Sequence, residues 1–173
     1  MKVFLVGPMG SGKSAVGRQL AQRLALRFVD SDEEIEARTG VDIPYIFERE
    51  GEAGFRQREA EVIDELTRQQ DILVATGGGA VLDPRSRARL RERGRVVYLR
   101  TSVDQQLART RRSIDRPLLN TPDPRGTLVR LLEQRAPLYA EVAEIVVDTD
   151  GRKVKAVVEQ ICRELGLDAE QAP

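Results

Sequence analysis

Short apolar runs recur along the chain, and longer segments with helical periodicity separate them. The first run, Val3-Phe4-Leu5-Val6, is unbroken, which is typical of a strand buried on both faces of a parallel sheet. The pattern predicts strands at residues 3–6, 28–29, 72–75, 96–99 and 145–147. Because helical segments lie between successive strands, we expect an α/β fold with a five-stranded parallel sheet and helices on both faces.

Apolar residues recur at every third or fourth position in the segments between these strands. Helices are predicted at residues 14–26, 33–38, 43–49, 51–69, 84–93, 103–111, 127–135 and 154–165. Local signals mark several ends: Gly40 closes one helix, Asp83 caps another, and Pro137 is expected to stop a third. Residues 112–124 are rich in proline and are predicted to form a loop.

The composition excludes several kinds of chemistry. The chain has 173 residues, a length that suits one domain, with 28 basic and 28 acidic side chains and a net charge of zero. Without a long-range positive field, binding to nucleic acid or to a membrane surface is not expected. The chain has no His and one Cys, Cys162, which excludes disulfides, Cys/His zinc sites and His-dependent triads. We interpret Cys162 as a core residue, and the lone cysteine and the lack of a targeting or spanning segment predict a cytoplasmic protein.

Residues 7–14 read Gly-Pro-Met-Gly-Ser-Gly-Lys-Ser and fit the phosphate-loop pattern G-x-x-x-x-G-K-[ST]. The segment stands directly after the first predicted strand and directly before a helix, where phosphate binding requires it. Its glycines allow backbone N–H groups to wrap around phosphates, and the helix N-terminus adds about half a positive charge. We expect Lys13 to reach the β- and γ-phosphates and the Ser14 hydroxyl to bind Mg²⁺.

Two carboxylates and a glycine triplet follow neighbouring predicted strands. Asp30 and Asp32 come after the second strand, and residues 77–79 are glycines after the third. The carboxyl ends of parallel strands meet at one ligand-binding crevice. The third strand ends in Thr76 without an acidic residue. One of the two aspartates is therefore expected to support Mg²⁺ and the other to act on a hydroxyl group. Solvated helix-capping carboxylates and a plain glycine loop are the alternatives.

Three arginines stand where a small anion could bind: Arg56, Arg116 and Arg135. Arg116 lies in the loop 112–124, which we interpret as a lid that closes over the phosphates. Taken singly, each of these arginines is also compatible with a surface position. The arginines at every second position within residues 85–95 are predicted to form a solvated face. Residues two positions apart on a helix point in different directions, so these arginines form no single patch.

Together these motifs resemble those of shikimate kinase. The matching pieces, in the order and with the spacing of the family, are Gly-Pro-Met-Gly-Ser-Gly-Lys-Ser at 7–14, Asp-Ser-Asp at 30–32, Gly-Glu-Ala-Gly-Phe-Arg at 51–56, Thr-Gly-Gly-Gly-Ala-Val at 76–81, Arg-Pro-Leu-Leu at 116–119 and Arg-Ala-Pro-Leu-Tyr at 135–139. They cover nearly the whole chain. The combination is highly specific, whereas the phosphate loop alone is not.

The resemblance implies a three-layer P-loop fold of the nucleoside-monophosphate-kinase type, with strand order 2-3-1-4-5. It implies one domain over residues 1–173, with a lid at about 112–124 and a shikimate-binding helical region at about 32–61. The implied reaction is transfer of the γ-phosphoryl group of ATP to the 3-hydroxyl of shikimate with the help of Mg²⁺, in the route to chorismate and the aromatic amino acids. ATP and shikimate are then its partners, and the balanced charge together with the lack of an exposed apolar stripe predicts a monomer.

The resemblance also assigns roles to individual residues. The implied ATP-binding residues are Gly10, Ser11, Gly12, Lys13, Ser14, Ala15, Arg109, Arg116 and Arg152. The implied shikimate-binding residues are Asp32, Phe47, Phe55, Arg56, Gly77, Gly78, Gly79 and Arg135. Catalysis falls to Asp32, Lys13 and Arg116, and metal support to Ser14 and Asp30.

Two other functions remain open at this point. A small-molecule kinase of the same fold, such as a gluconate kinase, would share the phosphate loop and a lid. A nucleotide switch or a non-catalytic nucleotide-binding module is the second alternative. The chain has one Asn, Asn120, and Thr121 follows it, so the Asn-Lys-x-Asp motif of guanine binding is absent.

Overall fold

The computed structural model describes residues 1–110 and 120–167 of the chain. The strands are β1 Lys2–Val6, β2 Arg27–Asp30, β3 Ile72–Ala75, β4 Arg95–Arg100 and β5 Ile145–Asp148. The described helices are α1 Lys13–Arg23, α2 Ser31–Thr39, α3 Ile43–Arg68, α4 Pro84–Arg93, α5 Val103–Thr110, α6 Pro124–Val142 and α7 Val154–Glu164, with a 3₁₀ turn at Ala80–Leu82.

The five strands form one parallel sheet in the order β2-β3-β1-β4-β5, which confirms the predicted fold and strand order. The central strand β1 pairs with β3, where Val3 lies opposite Leu73, and with β4, where Val3 lies opposite Arg95. The carboxyl ends of β1, β3 and β2 are therefore neighbours. This arrangement brings together the three segments that follow them: the phosphate loop, the glycine triplet and the two aspartates.

Alternating residues of the strands pack into two separate cores, as a pleated strand requires. Phe4 and Val6 of β1 belong to the core beneath α3, α4 and α6. Val3 and Leu5 belong to the core beneath α1 and α7. Cys162 is buried in this second core, which confirms its predicted packing role. The sheet is thus the middle of three layers.

The prediction that a helix stops near Pro137 is wrong. Helix α6 continues through Pro137 to Val142 and begins at Pro124, within the loop predicted at 112–124. A proline inside a helix costs one backbone hydrogen bond. The helix tolerates it because Arg135 and Tyr139, on either side of Pro137, are both buried against the sheet. Residues 112–119 of the predicted loop lie outside the described residues.

Other helix boundaries depart from the sequence pattern by small amounts. The helices predicted at 43–49 and 51–69 are two halves of α3, joined at Gly51, whose φ of 71° and ψ of 179° kink the chain. Helix α2 begins at Ser31, two residues before the predicted start, because the carboxylate of Asp30 caps it. The left-handed Gly40 ends α2 as predicted.

The predicted solvated face of arginines is wrong for four of its six members, of which Arg95 lies in β4 and forms an ion pair with Glu144. Arg87, Arg89 and Arg93 are only partly exposed, because α4 packs between α3 and α6. The Nη1 atom of Arg93 lies 2.7 Å from Oδ1 of Asp64, and Nε of Arg89 lies 3.2 Å from the same oxygen. Nε of Arg87 lies 3.1 Å from Oε2 of Glu141. These last three arginines join helices rather than face solvent.

Candidate active site

The phosphate loop connects β1 to α1 through a backbone that glycine favours. Gly7, Gly10 and Gly12 have φ angles of 149°, 76° and 89°, in the region that other residues rarely adopt. The N–H of Ser11 donates to the carbonyl of Pro8 at 3.2 Å, which closes the turn before α1. Such a turn, followed at once by a helix N-terminus, forms a concave cluster of backbone donors that suits an anion.

Helix α5 supports this loop from the side. Nε2 of Gln106 donates to the carbonyl of Met9 at 3.0 Å, and Nη1 of Arg109 donates to the carbonyl of Gly10 at 2.9 Å. A Cβ atom at Gly10 would lie 3.2 Å from the Cα atom of Gln106, so the loop and the helix are in close contact. Arg109 was predicted from the family pattern, whereas Gln106 was not predicted from the sequence.

Lys13 is the first residue of α1, and its side chain contacts the phosphate loop. Its Nζ atom donates to the carbonyl oxygens of Gly7 at 2.7 Å and Pro8 at 2.9 Å, and lies 3.4 Å from Oγ of Ser11. The ammonium group is therefore held at the loop itself. Ala15, in the first turn of α1, is exposed. Ala15 therefore lies at the surface, whereas Ser11 is buried within the loop.

Ser14 and Asp30 lie side by side at the carboxyl ends of β1 and β2. The Ser14 hydroxyl donates to Oδ2 of Asp30 at 2.6 Å. Oδ1 of Asp30 accepts from the backbone N–H groups of Asp32 at 2.9 Å and Glu33 at 3.2 Å, so the same carboxylate caps α2. The capping role considered in the sequence analysis and a contact with Ser14, the other residue predicted to support the metal, therefore occur together.

Hydroxyl and carboxylate oxygens are the hard donors that Mg²⁺ prefers, and Mg²⁺ usually takes one or two carboxylates together with phosphates and water. The adjacent Ser14 and Asp30 fit this donor set. Within residues 1–110 and 120–167 no group of three or more Cys, Asp or Glu side chains comes together as a metal cage. The donors present thus suit an ion that is shared with a nucleotide.

The glycine triplet is packed against carboxylates. The N–H of Gly77 donates to Oγ of the buried Ser31 at 3.0 Å. A Cβ atom at Gly77 would lie 2.7 Å from Oδ1 of Asp32 and 2.7 Å from Oε2 of Glu59. Only glycine fits there without moving one of the two carboxylates, which explains the triplet better than a plain loop. Ser31 and Glu59 were not predicted from the sequence.

Two guanidinium groups flank the rest of the triplet. A Cβ atom at Gly79 would overlap the guanidinium of Arg56, and one at Gly78 would lie 3.6 Å from Nη1 of Arg135. Arg135 is 3% exposed. The surface interpretation is therefore wrong for Arg135, and the structure brings both predicted arginines to the segment beside Asp32.

Glu59 holds Arg56 in place from below. Nη1 of Arg56 lies 2.9 Å from Oε1 of Glu59, and Nη2 lies 3.2 Å from Oε1 of the exposed Glu52. Burial raises the pKa of the Glu59 carboxyl, although the nearby charges of Arg56 and Arg135 oppose this shift. Glu59 stands three residues after Arg56 on α3, a spacing that brings two helical side chains together and could have suggested the pair.

Aromatic rings border Arg56. The ring centroids of Phe47 and Phe55 are 5.0 Å apart, and the Cζ atom of Arg56 lies 5.2 Å from the ring centroid of Phe55. A cavity of about 470 Å³ opens on the other side of Arg56. Its lining includes Glu59, Gly79, Leu82, Asp83 and Arg85. The predicted aromatic wall is therefore next to the predicted anion clamp.

The two remaining predicted residues are Arg152 and Arg116. Arg152 follows β5, and its guanidinium donates to the carbonyl of Asp148 at 3.0 Å and to Oε1 of Gln160 at 2.5 Å. It therefore joins the end of β5 to α7. Arg116 and most of the predicted lid are outside the described residues.

The family model described as shikimate kinase matches residues 9–166 of the chain. The chain belongs to the shikimate kinase family. A shikimate kinase from Halorhodospira halophila is 58% identical over 95% of this chain and 93% of that protein. One from Shewanella amazonensis is 56% identical over 95% of this chain and 96% of that protein.

Solved structures of the shikimate kinase family agree with the described fold. A shikimate kinase from Acinetobacter baumannii, solved in complex with shikimate, matches with a TM-score of 0.94 and 46% identity, over 98% of this chain and 95% of that chain. A gluconokinase from Sinorhizobium meliloti matches with a TM-score of 0.58 and 19% identity, which shows a shared fold alone. The chain is therefore an enzyme of the shikimate kinase type with a P-loop kinase fold.

None of the helices in residues 1–110 and 120–167 is both long and apolar enough to cross a membrane.

Proposed function

We propose that this chain transfers the γ-phosphoryl group of ATP to the 3-hydroxyl group of shikimate, giving ADP and shikimate 3-phosphate in the route to chorismate and the aromatic amino acids. The observation that carries the proposal is the grouping of Arg56 and Arg135 at the glycine segment beside Asp32, on the same edge of the sheet as the phosphate loop. Shikimate, a small carboxylate with several hydroxyl groups, matches this grouping. The shikimate-bound relative from A. baumannii supports the same acceptor.

Each side chain of the cluster has a role in the proposed reaction. Arg56 and Arg135 bind the acceptor carboxylate and orient its ring, and Phe47 and Phe55 form the apolar wall of the site. Asp32 accepts a hydrogen bond from the 3-hydroxyl group and aims its oxygen at the γ-phosphorus. Positioning of this kind supplies much of the rate in phosphoryl transfer.

The reaction then exchanges one bond to phosphorus for another. A bond forms between the 3-oxygen and the γ-phosphorus while the bond from the γ-phosphorus to the β–γ bridging oxygen breaks, and ADP leaves with those electrons. The hydroxyl proton passes to the carboxylate of Asp32. Lys13 and the backbone N–H groups of residues 10–15 stabilise the charge on the phosphate oxygens.

We also propose Mg²⁺ as the metal, with the Ser14 hydroxyl as a ligand and Asp30 as its support through water. When bound with ATP, Mg²⁺ neutralises charge on the β- and γ-phosphates. The hydrogen bond between Ser14 and Asp30 holds the serine oxygen beside the aspartate that would support the metal. The donor chemistry of these two residues supports this choice.

Further parts of the account rest on the family pattern. Arg109 and Arg152 are proposed to pack against the adenine, and Arg116 to reach the phosphates from a lid at about 112–124. The helical region at about 32–61 is proposed to bind shikimate, within one domain over residues 1–173. A cytoplasmic monomer remains the prediction. The fold shared with a gluconokinase keeps gluconate as the second acceptor to test.

A coupled ADP-release assay with ATP and Mg²⁺ tests the acceptor. Shikimate, quinate and gluconate are compared at matched concentrations. We expect rapid turnover with shikimate and little with the other two acids. Turnover with gluconate in place of shikimate would retain the kinase fold and reject the acceptor. ATP binding without turnover on any acceptor would favour the non-catalytic module.

A further inference from the structure

A small cavity lies where the phosphate loop, α5 and α6 meet. Its volume is about 10 Å³. A cavity needs about 10–15 Å³ of this kind of space to hold one water molecule, so it can take one at most. Its lining includes Met9, Gln106, Arg135 and Tyr139, together with leucines of α6.

Two polar side chains in this lining each have a buried atom with an unmet hydrogen-bonding need. Oε1 of Gln106 and Nε of Arg135 find no hydrogen-bond partner among the residues that the structure describes. Gln106 is 2% exposed and Arg135 is 3% exposed, so bulk solvent does not satisfy these atoms. Buried polar atoms are paired with protein or with an ordered water in nearly all structures.

The two atoms are chemically complementary. The carbonyl of Met9 accepts from Gln106, so the amide must place Nε2 toward Met9 and keep Oε1 as its remaining acceptor. Nε of Arg135 carries a hydrogen and can only donate. A water molecule can accept from the arginine and donate to the glutamine. The oxygen of Tyr139, which already donates to the carbonyl of Gly78 at 2.5 Å, offers a third polar group.

We propose that one buried water occupies this cavity and links Gln106 to Arg135, which makes Gln106 a positioning residue for the reaction. The amide nitrogen of Gln106 binds the carbonyl of Met9 in the phosphate loop. The amide oxygen binds the water, which in turn binds Nε of Arg135. The outer Nη groups of Arg135 then keep a fixed orientation toward the acceptor carboxylate. This consequence for catalysis rests on the proposed function, whereas the water itself does not.

The first test is structural. A crystal structure of the wild-type protein at a resolution that shows ordered water is expected to contain a density peak within hydrogen-bonding distance of both Oε1 of Gln106 and Nε of Arg135. A dry cavity, or a direct contact between the two side chains, would overturn the proposal. This test holds even if the enzyme proves to use another acceptor.

The second test separates the two ends of the Gln106 amide. Gln106→Leu removes both links, whereas Gln106→Glu keeps an oxygen for the water and loses the donor to Met9. Because one hydrogen bond to a charged group is affected, we expect Gln106→Leu to raise KM for shikimate by roughly tenfold and Gln106→Glu to restore most of it. We expect KM for ATP to rise in both variants.

A purely structural role for Gln106 in the phosphate loop makes a different prediction. Both variants would then raise KM for ATP alike and leave KM for shikimate unchanged, and the proposal would fall. If the wild-type protein phosphorylates no shikimate, the proposed function falls, and the density peak alone decides whether the water is bound.

Discussion

The hydroxyl group of Tyr139 donates a 2.5 Å hydrogen bond to the carbonyl oxygen of Gly78. Tyr139 lies one helical turn after Arg135 on α6, and both side chains are buried. The helix that carries one proposed clamp arginine therefore also holds the glycine segment against which that arginine lies. The ring of Tyr139 packs against Tyr98 of β4 with centroids 5.1 Å apart, which fixes the hydroxyl in turn.

Tyr139→Phe tests this link. The change leaves a buried carbonyl without its donor, so we expect a loss of about 1–3 kcal/mol in the free energy of unfolding. We also expect a higher KM for shikimate, since the glycine segment is less well fixed, and a nearly unchanged KM for ATP. Tyr98→Phe is the matched control, because it removes a hydroxyl from the partner ring and leaves the bond to Gly78. Equal shikimate KM values in the two variants would contradict the link.

Alanine substitutions in the glycine triplet are expected to have graded effects. At Gly79 the new methyl group overlaps the guanidinium of Arg56, so KM for shikimate should rise by roughly an order of magnitude, as for the loss of a charged hydrogen bond. At Gly77 it presses on Asp32 and Glu59, so kcat should fall. At Gly78 the nearest atom is the backbone nitrogen of Met9 at 3.4 Å, an ordinary contact.

Steady-state kinetics of the three alanine variants check this order. Gly78→Ala is the internal control, because it replaces a glycine of the same segment without a steric overlap. If Gly78→Ala proves as damaging to shikimate binding as Gly79→Ala, the steric explanation of the triplet is wrong.

The two functions of Asp30 can be separated. Asp30→Asn keeps a side-chain oxygen for the α2 cap but loses the charge, so we expect near wild-type stability and a higher Mg²⁺ concentration for half-maximal activity. Asp30→Ala loses the cap as well and should also cost about 1 kcal/mol of unfolding free energy. Urea unfolding and Mg²⁺ titrations measure the two effects. An unchanged Mg²⁺ requirement in Asp30→Asn would remove Asp30 from metal support.

Glu59 predicts a pH-dependent stability. Burial raises the pKa of its carboxyl in the folded protein above that in the unfolded chain, which is about 4.3. At a pH well below about 4.3 the Glu59 carboxyl is protonated in both the folded and the unfolded protein. As the pH rises further, the unfolded chain releases the proton first, so the wild-type protein loses stability through this group until the folded pKa is passed.

Glu59→Gln cannot lose that proton. The stability of the variant relative to the wild-type protein is therefore expected to improve as the pH rises from about 4 toward neutrality. Urea unfolding at several pH values measures the difference. Glu52→Gln, which removes the exposed carboxylate from the same arginine, controls for the lost ion pair with Arg56. A relative stability of Glu59→Gln that falls with rising pH would contradict the effect of burial.

Features with a local sequence signal were predictable. The unbroken apolar run of β1 indicated a buried strand, and the spacing of residues 7–14 identified the phosphate loop. The order of the strands came from the family resemblance, because periodicity alone does not decide which strands pair. Asp30 was expected to bind metal or to cap α2, and one carboxylate makes contacts suited to both.

Features that depend on tertiary contact were missed. Pro137 was expected to end a helix. Pro137 weakens that helical turn, but the burial of Arg135 and Tyr139 on either side of the proline stabilises the turn. Arg93 was assigned to a solvated face, and its partner Asp64 is on another helix. Gln106 and Tyr139 bind backbone carbonyls 97 and 61 residues away in the sequence. No local pattern records such contacts.

The central claim is that Asp32 acts on the 3-hydroxyl of shikimate. The most direct measurement is the rate and position of phosphoryl transfer by the wild-type enzyme and Asp32→Asn, with the product identified by phosphorus NMR. We predict that the wild-type enzyme forms shikimate 3-phosphate and that kcat of the variant falls by about 10²–10⁴, with a much smaller change in KM for ATP. A variant that retains wild-type kcat, or a product phosphorylated at another hydroxyl, would contradict the account.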